Sequence, residues 1–150
     1  YDGSELSQSI GLVPILRAGL GMIDPVLSLL PTAEVWHLGL YRDETTSRPV
    51  EYYSKLPPGR PVDVAMVLDP MLATGGSAVL AYHTLKRWGV SQVKLLSIIS
   101  APEGIDRLKE ECPDLEVYVC AVDQCLNQRN FIMPGLGDAG DRIFNTAGHE

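Results

Sequence analysis

The chain has 150 residues, a mass of 16.4 kDa and a net charge of −7. That length fits a single domain spanning 1–150, able to bury roughly 70% of its unfolded surface without disulfides. An apolar fraction of 45% excludes disorder as the main state, and the acidic balance argues against a nucleic-acid or anionic-membrane partner, since both need a basic footprint.

No apolar run approaches the ~20 residues of a membrane span; Arg17, Asp24 and Asp69 interrupt the longest ones. The first residue is Tyr1 rather than Met, and Tyr1-Asp2-Gly3-Ser4 reads as the interior of a longer protein. The 3 cysteines, Cys112, Cys120 and Cys125, form no close pair. They suit a reducing, cytoplasmic compartment rather than a disulfide framework or a zinc site. His37, His83 and His149 are isolated and read as structural or surface residues.

In chain order, Ile10 to Leu16 is a short apolar run and reads as a buried strand. Gly19 to Leu30 reads as a helix, with Asp24-Pro25 resembling an N-cap and first helical position. Glu34 to Tyr41 predicts a strand. Asp43 to Pro61, polar and proline-rich around Val50–Tyr53, predicts a protruding hairpin or loop. Val62 to Leu68 is a second buried strand. Ala78 to Trp88 predicts a helix with Ala81, Leu85 and Trp88 on one face, stopped by Gly89. Val93 to Ile99 is a strand, Pro102 to Cys112 a helix and Leu115 to Val122 a last strand; a glycine-rich loop follows. Apolar strands alternating with helices predict an α/β domain with a parallel sheet covered on both faces. Ligands of such sheets sit beyond the carboxyl ends of the strands.

Three glycine-rich segments stand out, the first two directly after strands. The first is Asp69-Pro70-Met71-Leu72-Ala73-Thr74-Gly75-Gly76-Ser77. Its small residues can turn several backbone N–H groups toward one point at a helix N-terminus, a geometry that binds phosphate. Asp69 can accept hydrogen bonds from vicinal sugar hydroxyls, so one loop would hold a sugar and its phosphate. No Lys follows the glycines, so it is not a Walker loop; the plain alternative is a strand-to-helix turn. The second segment is Arg17-Ala18-Gly19-Leu20-Gly21, with Arg42 after the next strand. Two arginines at strand ends could clamp a diphosphate, while each alone could be a surface ion pair. The third is Pro134-Gly135-Leu136-Gly137-Asp138-Ala139-Gly140-Asp141. Its G-x-G-x-x-G pattern is not a dinucleotide fingerprint: it follows a proline and leaves too little chain for the ribose ligand. An ordered loop whose backbone meets the edge of a nucleobase fits better.

Five segments, VPILRAGLGM (13–22), GLYRDE (39–44), VLDPMLATGGSA (67–78), SAPEGI (100–105) and PGLGDAGDRIF (134–144), resemble uracil phosphoribosyltransferase in that family's order. The resemblance implies a type I phosphoribosyltransferase-like fold, with a mostly parallel sheet flanked by helices and a protruding hairpin loop. It implies the reaction of uracil with 5-phosphoribosyl-1-diphosphate to give UMP and diphosphate. Asp69 through Ser77 would hold ribose and 5-phosphate. Arg17 and Arg42 would meet the diphosphate, and Asp138 the donor with its Mg2+. The backbone of Ile132 and of Gly137, Asp138 and Ala139 would read uracil. Arg17, Asp69 and Asp138 are thus the expected catalytic residues, without a direct protein metal site. The resemblance further implies a homodimer or higher homo-oligomer, and a family N-terminal region that this chain lacks. Some members are activated by GTP, for which the sequence offers no site. Asn130-Phe131 stands where the family usually has Gly-Tyr; Asn tolerates the left-handed conformation, whereas Phe131 forgoes a hydroxyl. A non-catalytic nucleotide-sensing protein on the same fold is the competing reading, but it should show a basic face. A folded fragment that binds without turnover is another.

Overall fold

The computed structural model describes residues 6–42, 49–54 and 56–146; Tyr1–Ser4, Asp43–Arg48 and His149 lie outside them. At the centre is a parallel sheet. β1 (Ile10–Pro14) has β2 (Glu34–Val35) on one side and β5 (Val64–Leu68) on the other. β7 (Gln92–Ser100) lies beyond β5, and β8 (Glu116–Val122) pairs with β7. A short strand, β6 (Met71–Leu72), continues the line of β5 along β7 in unchanged register. The interruption falls at Asp69-Pro70, where proline has no N–H to give to the ladder. The Pro70 carbonyl instead accepts from the Ile98 and Ile99 amides, 3.1 Å each.

β3 (Leu38–Arg42) and β4 (Pro49–Ser54) form an antiparallel hairpin that starts before the segment 43–61 in which one was expected, with Leu38 and Leu40 buried in the core. The single strand expected over 34–41 is therefore two. Glu34–Val35 joins the sheet, the Trp36 amide still donates to the Leu12 carbonyl at 2.8 Å, and Leu38 makes one further bridge to Ile15. The chain then leaves for the hairpin, with a register irregularity at Gly39/Leu40.

α2 (Gly76–Trp88) and α3 (Pro102–Glu111) pack on one face of the sheet. Val13, Ala65, Val67, Val93, Leu95 and Val117 point into this core, against Ala81, Leu85 and Leu108. Trp88 closes it, donating its indole N–H to the Pro57 carbonyl at 2.7 Å and meeting Trp36 edge to face. Gly89 ends α2 as expected, its amide bonded to the Leu85 and Lys86 carbonyls.

The opposite face corrects the expectation of a sheet covered on both sides. A 3-10 turn at Ala18–Met22 lies against β1 and β5, and α1 (Ile23–Leu29) follows it without burying a residue. The helix expected over 19–30 is thus shorter and starts in a tighter turn. Asp24 and Pro25 fall inside its first turn, with Met22 at the cap; a carboxylate there still favours the helix dipole. Over β7 and β8 this face is open, with Ile98, Tyr118 and Val122 exposed beside a polar cluster. Lys94, Tyr118 and Gln92 all donate to Glu116 and hold its carboxyl down at about 2.

The carboxyl-terminal segment is not only loop. β9 (Cys125–Leu126) pairs antiparallel with β10 (Ile132–Met133), and α4 (Ala139–Phe144) follows. Elements this short leave no periodicity to read. α2 likewise begins at Gly76, two residues before the apolar pattern does. Cys112 is buried and Cys120 and Cys125 are exposed, all as free thiols. No helix among the described residues is long and apolar enough to cross a membrane.

Leu85 is fully buried in α2, the helix that packs against β3, β4, β5 and β7. Leu85→Ala should cost about 2–5 kcal/mol of stability, read as a lower urea midpoint at unchanged slope.

Candidate active site

β1 and β5 are neighbours, yet the chain runs from β1 out to β2 before returning on the other side. This is the point at which parallel sheets open a crevice beyond their carboxyl ends. Arg17 leaves β1 and Asp69 leaves β5 at this crevice. Three adjoining cavities occupy it, and Asp69 lines all of them.

The smallest cavity, about 70 Å³, is the hollow of the loop from Asp69 to Ala78. Gly75 caps α2 at φ +77°, a left-handed conformation that favours glycine. The amides of Gly76 and Ser77 open the helix and have no intrahelical acceptor. Asp69 stands at the loop's base. Its carboxylate accepts from the Met71 amide at 3.3 Å, and its backbone is pinned by its own amide on the Leu96 carbonyl and by the buried Ser97 hydroxyl on its carbonyl, at 2.6 Å. Burial pushes the Asp69 carboxyl up to about 7, against the pull of the Met71 amide.

A second cavity, about 440 Å³, runs from Ser77 past Asp69 to Arg17, Asp138 and Gly140. Arg17 donates to Asp141 at 2.8 Å and lies 6.0 Å from the Phe144 ring centroid. Its other nitrogen is 3.4 Å from the Thr146 hydroxyl. The guanidinium is half exposed, at 51%, so it stands at the rim of the cavity. Arg42 ends β3 opposite Pro49, and its side chain lies outside the described atoms.

The third cavity, about 350 Å³, is bounded by Asp69, Met71 and Ala73 on one wall and by residues 129–132 and 137–140 on the other. Ile132, Gly137, Asp138 and Ala139, the residues expected at a base edge, come together here. Asp138 caps α4, accepting from the Asp141 amide at 2.9 Å. Asn130 takes φ +61°, the left-handed conformation expected of it. The Asn127 side-chain oxygen accepts from the Arg129 and Phe131 amides and fixes this wall.

Sequence reasoning missed Arg129, Ala18 and Gly140 in these walls, and Asp141 as the partner of Arg17. Arg129 carried no motif; the second acid of Asp138-Ala139-Gly140-Asp141 was the only signal for the pair.

Two carboxylates, Asp69 and Asp138, border one cavity with Arg17. Among the described residues no group of three or more acids, cysteines or histidines could cage a metal. A hard cation fits here only if a ligand brings most of its oxygens.

The chain is 60% identical over 146 residues to a uracil phosphoribosyltransferase of Roseiflexus sp. (strain RS-1), covering 97% of this chain and 70% of that protein. Among solved structures, the AQ2163 protein of Aquifex aeolicus superposes with a TM-score of 0.87 at 40% identity, covering 94% of this chain and 67% of that one. An adenine phosphoribosyltransferase of Rhodothermus marinus DSM 4252 shares the fold, with a TM-score of 0.60 at 18% identity over 77% of this chain and 70% of its own. The family model described as "Uracil phosphoribosyltransferase" matches residues 1–146, and with these relatives it shows that the chain belongs to the uracil phosphoribosyltransferase family.

Proposed function

We propose that the chain transfers the 5-phosphoribosyl group from phosphoribosyl diphosphate to uracil, giving UMP and diphosphate. The observation that carries this reading is the shared wall at Asp69: one carboxylate borders a phosphate-sized hollow, an Arg-rimmed channel and a third pocket lined by Ile132, Gly137, Asp138 and Ala139. A donor with a phosphate, a ribose and a diphosphate needs that layout, with the acceptor base beside the anomeric carbon.

In this reading the amides of Thr74 to Ser77, at the start of α2, hold the 5-phosphate. Pro70, Met71, Leu72 and Ala73 carry the loop beneath the sugar. Asp69 accepts the vicinal ribose hydroxyls, and Arg17 and Arg42 receive the diphosphate through charge-assisted bonds. The backbone of Ile132, Gly137, Asp138 and Ala139 reads uracil, whose N3–H lies between two carbonyl acceptors. Cytosine presents the reverse pattern at two of these positions and would leave buried groups unpaired. Uracil N1 forms the new bond to the anomeric carbon as the bond from that carbon to the diphosphate oxygen breaks, and the N1 proton is released. The protein's part is positioning and stabilising charge on the leaving group. Mg2+ entering with the donor, beside Asp138 and Asp69, would neutralise diphosphate charge. We place this chemistry in the cytoplasm, in a homo-oligomer; exposed Ile98, Tyr118 and Val122 support an apolar contact with another copy.

Assayed with Mg2+, the chain should form UMP from uracil and not accept cytosine, hypoxanthine or orotate; no turnover with uracil overturns the reading. Arg17→Ala should raise the KM for the donor roughly tenfold, and unchanged donor kinetics would remove Arg17 from the diphosphate site. Asp69 must be ionised to accept the ribose hydroxyls. Donor affinity should therefore weaken as pH falls through about 7 in the wild type, with a flatter profile in Asp69→Asn. The raised value also means that stability contributed by protonated Asp69 is lost as pH rises from its ordinary value of 3.8 through about 7. Urea titrations across that range should show a smaller decline for Asp69→Asn.

A further inference from the structure

The first turn of α3 touches both substrate walls and is itself part of neither. Gly104 lies beneath the phosphate loop so closely that a Cβ there would overlap the Ala73 carbonyl oxygen and stand 3.1 Å from the Leu72 side chain. The Gly104 carbonyl in turn backs Gly75, and the Arg107 guanidinium reaches toward the Thr74 carbonyl at 3.5 Å. One residue earlier, the Glu103 carboxylate accepts the Leu126 amide at 3.0 Å. Leu126 lies in β9 directly opposite Ile132 in β10, and Ile132 lines the pocket shared with Asp69 and Asp138.

Each strand of the β9–β10 ribbon has only two residues, so the ribbon cannot fix its own angle to the sheet. The bond from Glu103 ties its outer strand to the helix that backs the phosphate loop.

We propose that the first turn of α3 is a strut that sets the distance between the donor loop and the base-reading ribbon. Glu103 is the positioning residue for the acceptor side and Gly104 for the donor side. The inference rests on the functional reading above. Neither residue touches substrate; each acts through the wall it supports.

The two ends of the strut separate kinetically. Glu103→Ala should raise the KM for uracil roughly tenfold, relax discrimination against cytosine and leave the donor KM within about twofold. Glu103→Gln keeps an acceptor oxygen and should restore most of the uracil KM. Gly104→Ala should do the reverse, raising the donor KM with little change for uracil. Amide hydrogen exchange gives a readout independent of turnover: Glu103→Ala should speed exchange at Leu126 and along the ribbon at Asn127 and Ile132, and Glu103→Gln should not. Equal rises in both KM values for Glu103→Ala, or no rescue by Gln, overturn the strut. If the wild-type chain forms no UMP, the functional reading fails, and exchange alone decides the strut: unchanged protection at Leu126 in Glu103→Ala refutes it.

Discussion

The hydrogen-bonded register between β1 and β5 is the constraint on which the rest depends. Ile10 faces Val64 and Pro14 faces Leu68, in parallel, over five paired residues. Parallel pairing forces both strands to end at the same edge of the sheet. The return of the chain across β1 makes that edge a crevice. Arg17 and Asp69, 52 positions apart in sequence (69 − 17), meet there because of this register. The phosphate loop, the 3-10 turn and α4 are then arranged around a gap that the ladder has already opened.

Electrostatics then sets the character of the gap. Asp69 is held where its own charge is disfavoured: the Met71 amide offsets the burial of its carboxylate only in part, while its backbone is pinned by the Leu96 carbonyl and the Ser97 hydroxyl. A fold optimised for stability alone would place an amide or an apolar residue here. The acid persists at a site with room beside it, so the stabilising partners it lacks are ones a polyhydroxylated ligand can provide. Glu116 shows the opposite design on the open face, where three donors surround a carboxylate that nothing else needs.

The central sheet was legible because its strands are continuous apolar runs, IGLVP and VAMVL among them, set between helical patterns. The two loops that follow β1 and β5 were legible for a related reason: glycine and small polar residues gather where backbone must face a ligand. Arg129 and the ribbon bearing Ile132 were hidden because two-residue strands are fixed by tertiary bonds, from Asn127 and Glu103, and not by local pattern. The open face over β8 was hidden because the run from Val117 to Val122 is apolar on both faces, so Tyr118, Cys120 and Val122 look like core residues as much as Val117 and Val119 do. Their burial depends on what covers them, which alternation along one strand does not encode. Asn130 was readable in detail, since a side chain that tolerates a left-handed backbone is informative by itself.

The contact between Arg17 and Asp141 joins the second glycine segment to the third, with Thr146 and Phe144 beside it. In the proposed reaction the guanidinium does not wait bare for an anion. It trades one for another, releasing a carboxylate when the diphosphate arrives and recapturing it when the diphosphate leaves. An exchange of this kind gains less than the capture of a free charge, so the leaving group is held less tightly than an unpaired arginine would hold it. The carboxylate of Asp141 thereby acts as a resident counter-ion that eases the departure of a highly charged product.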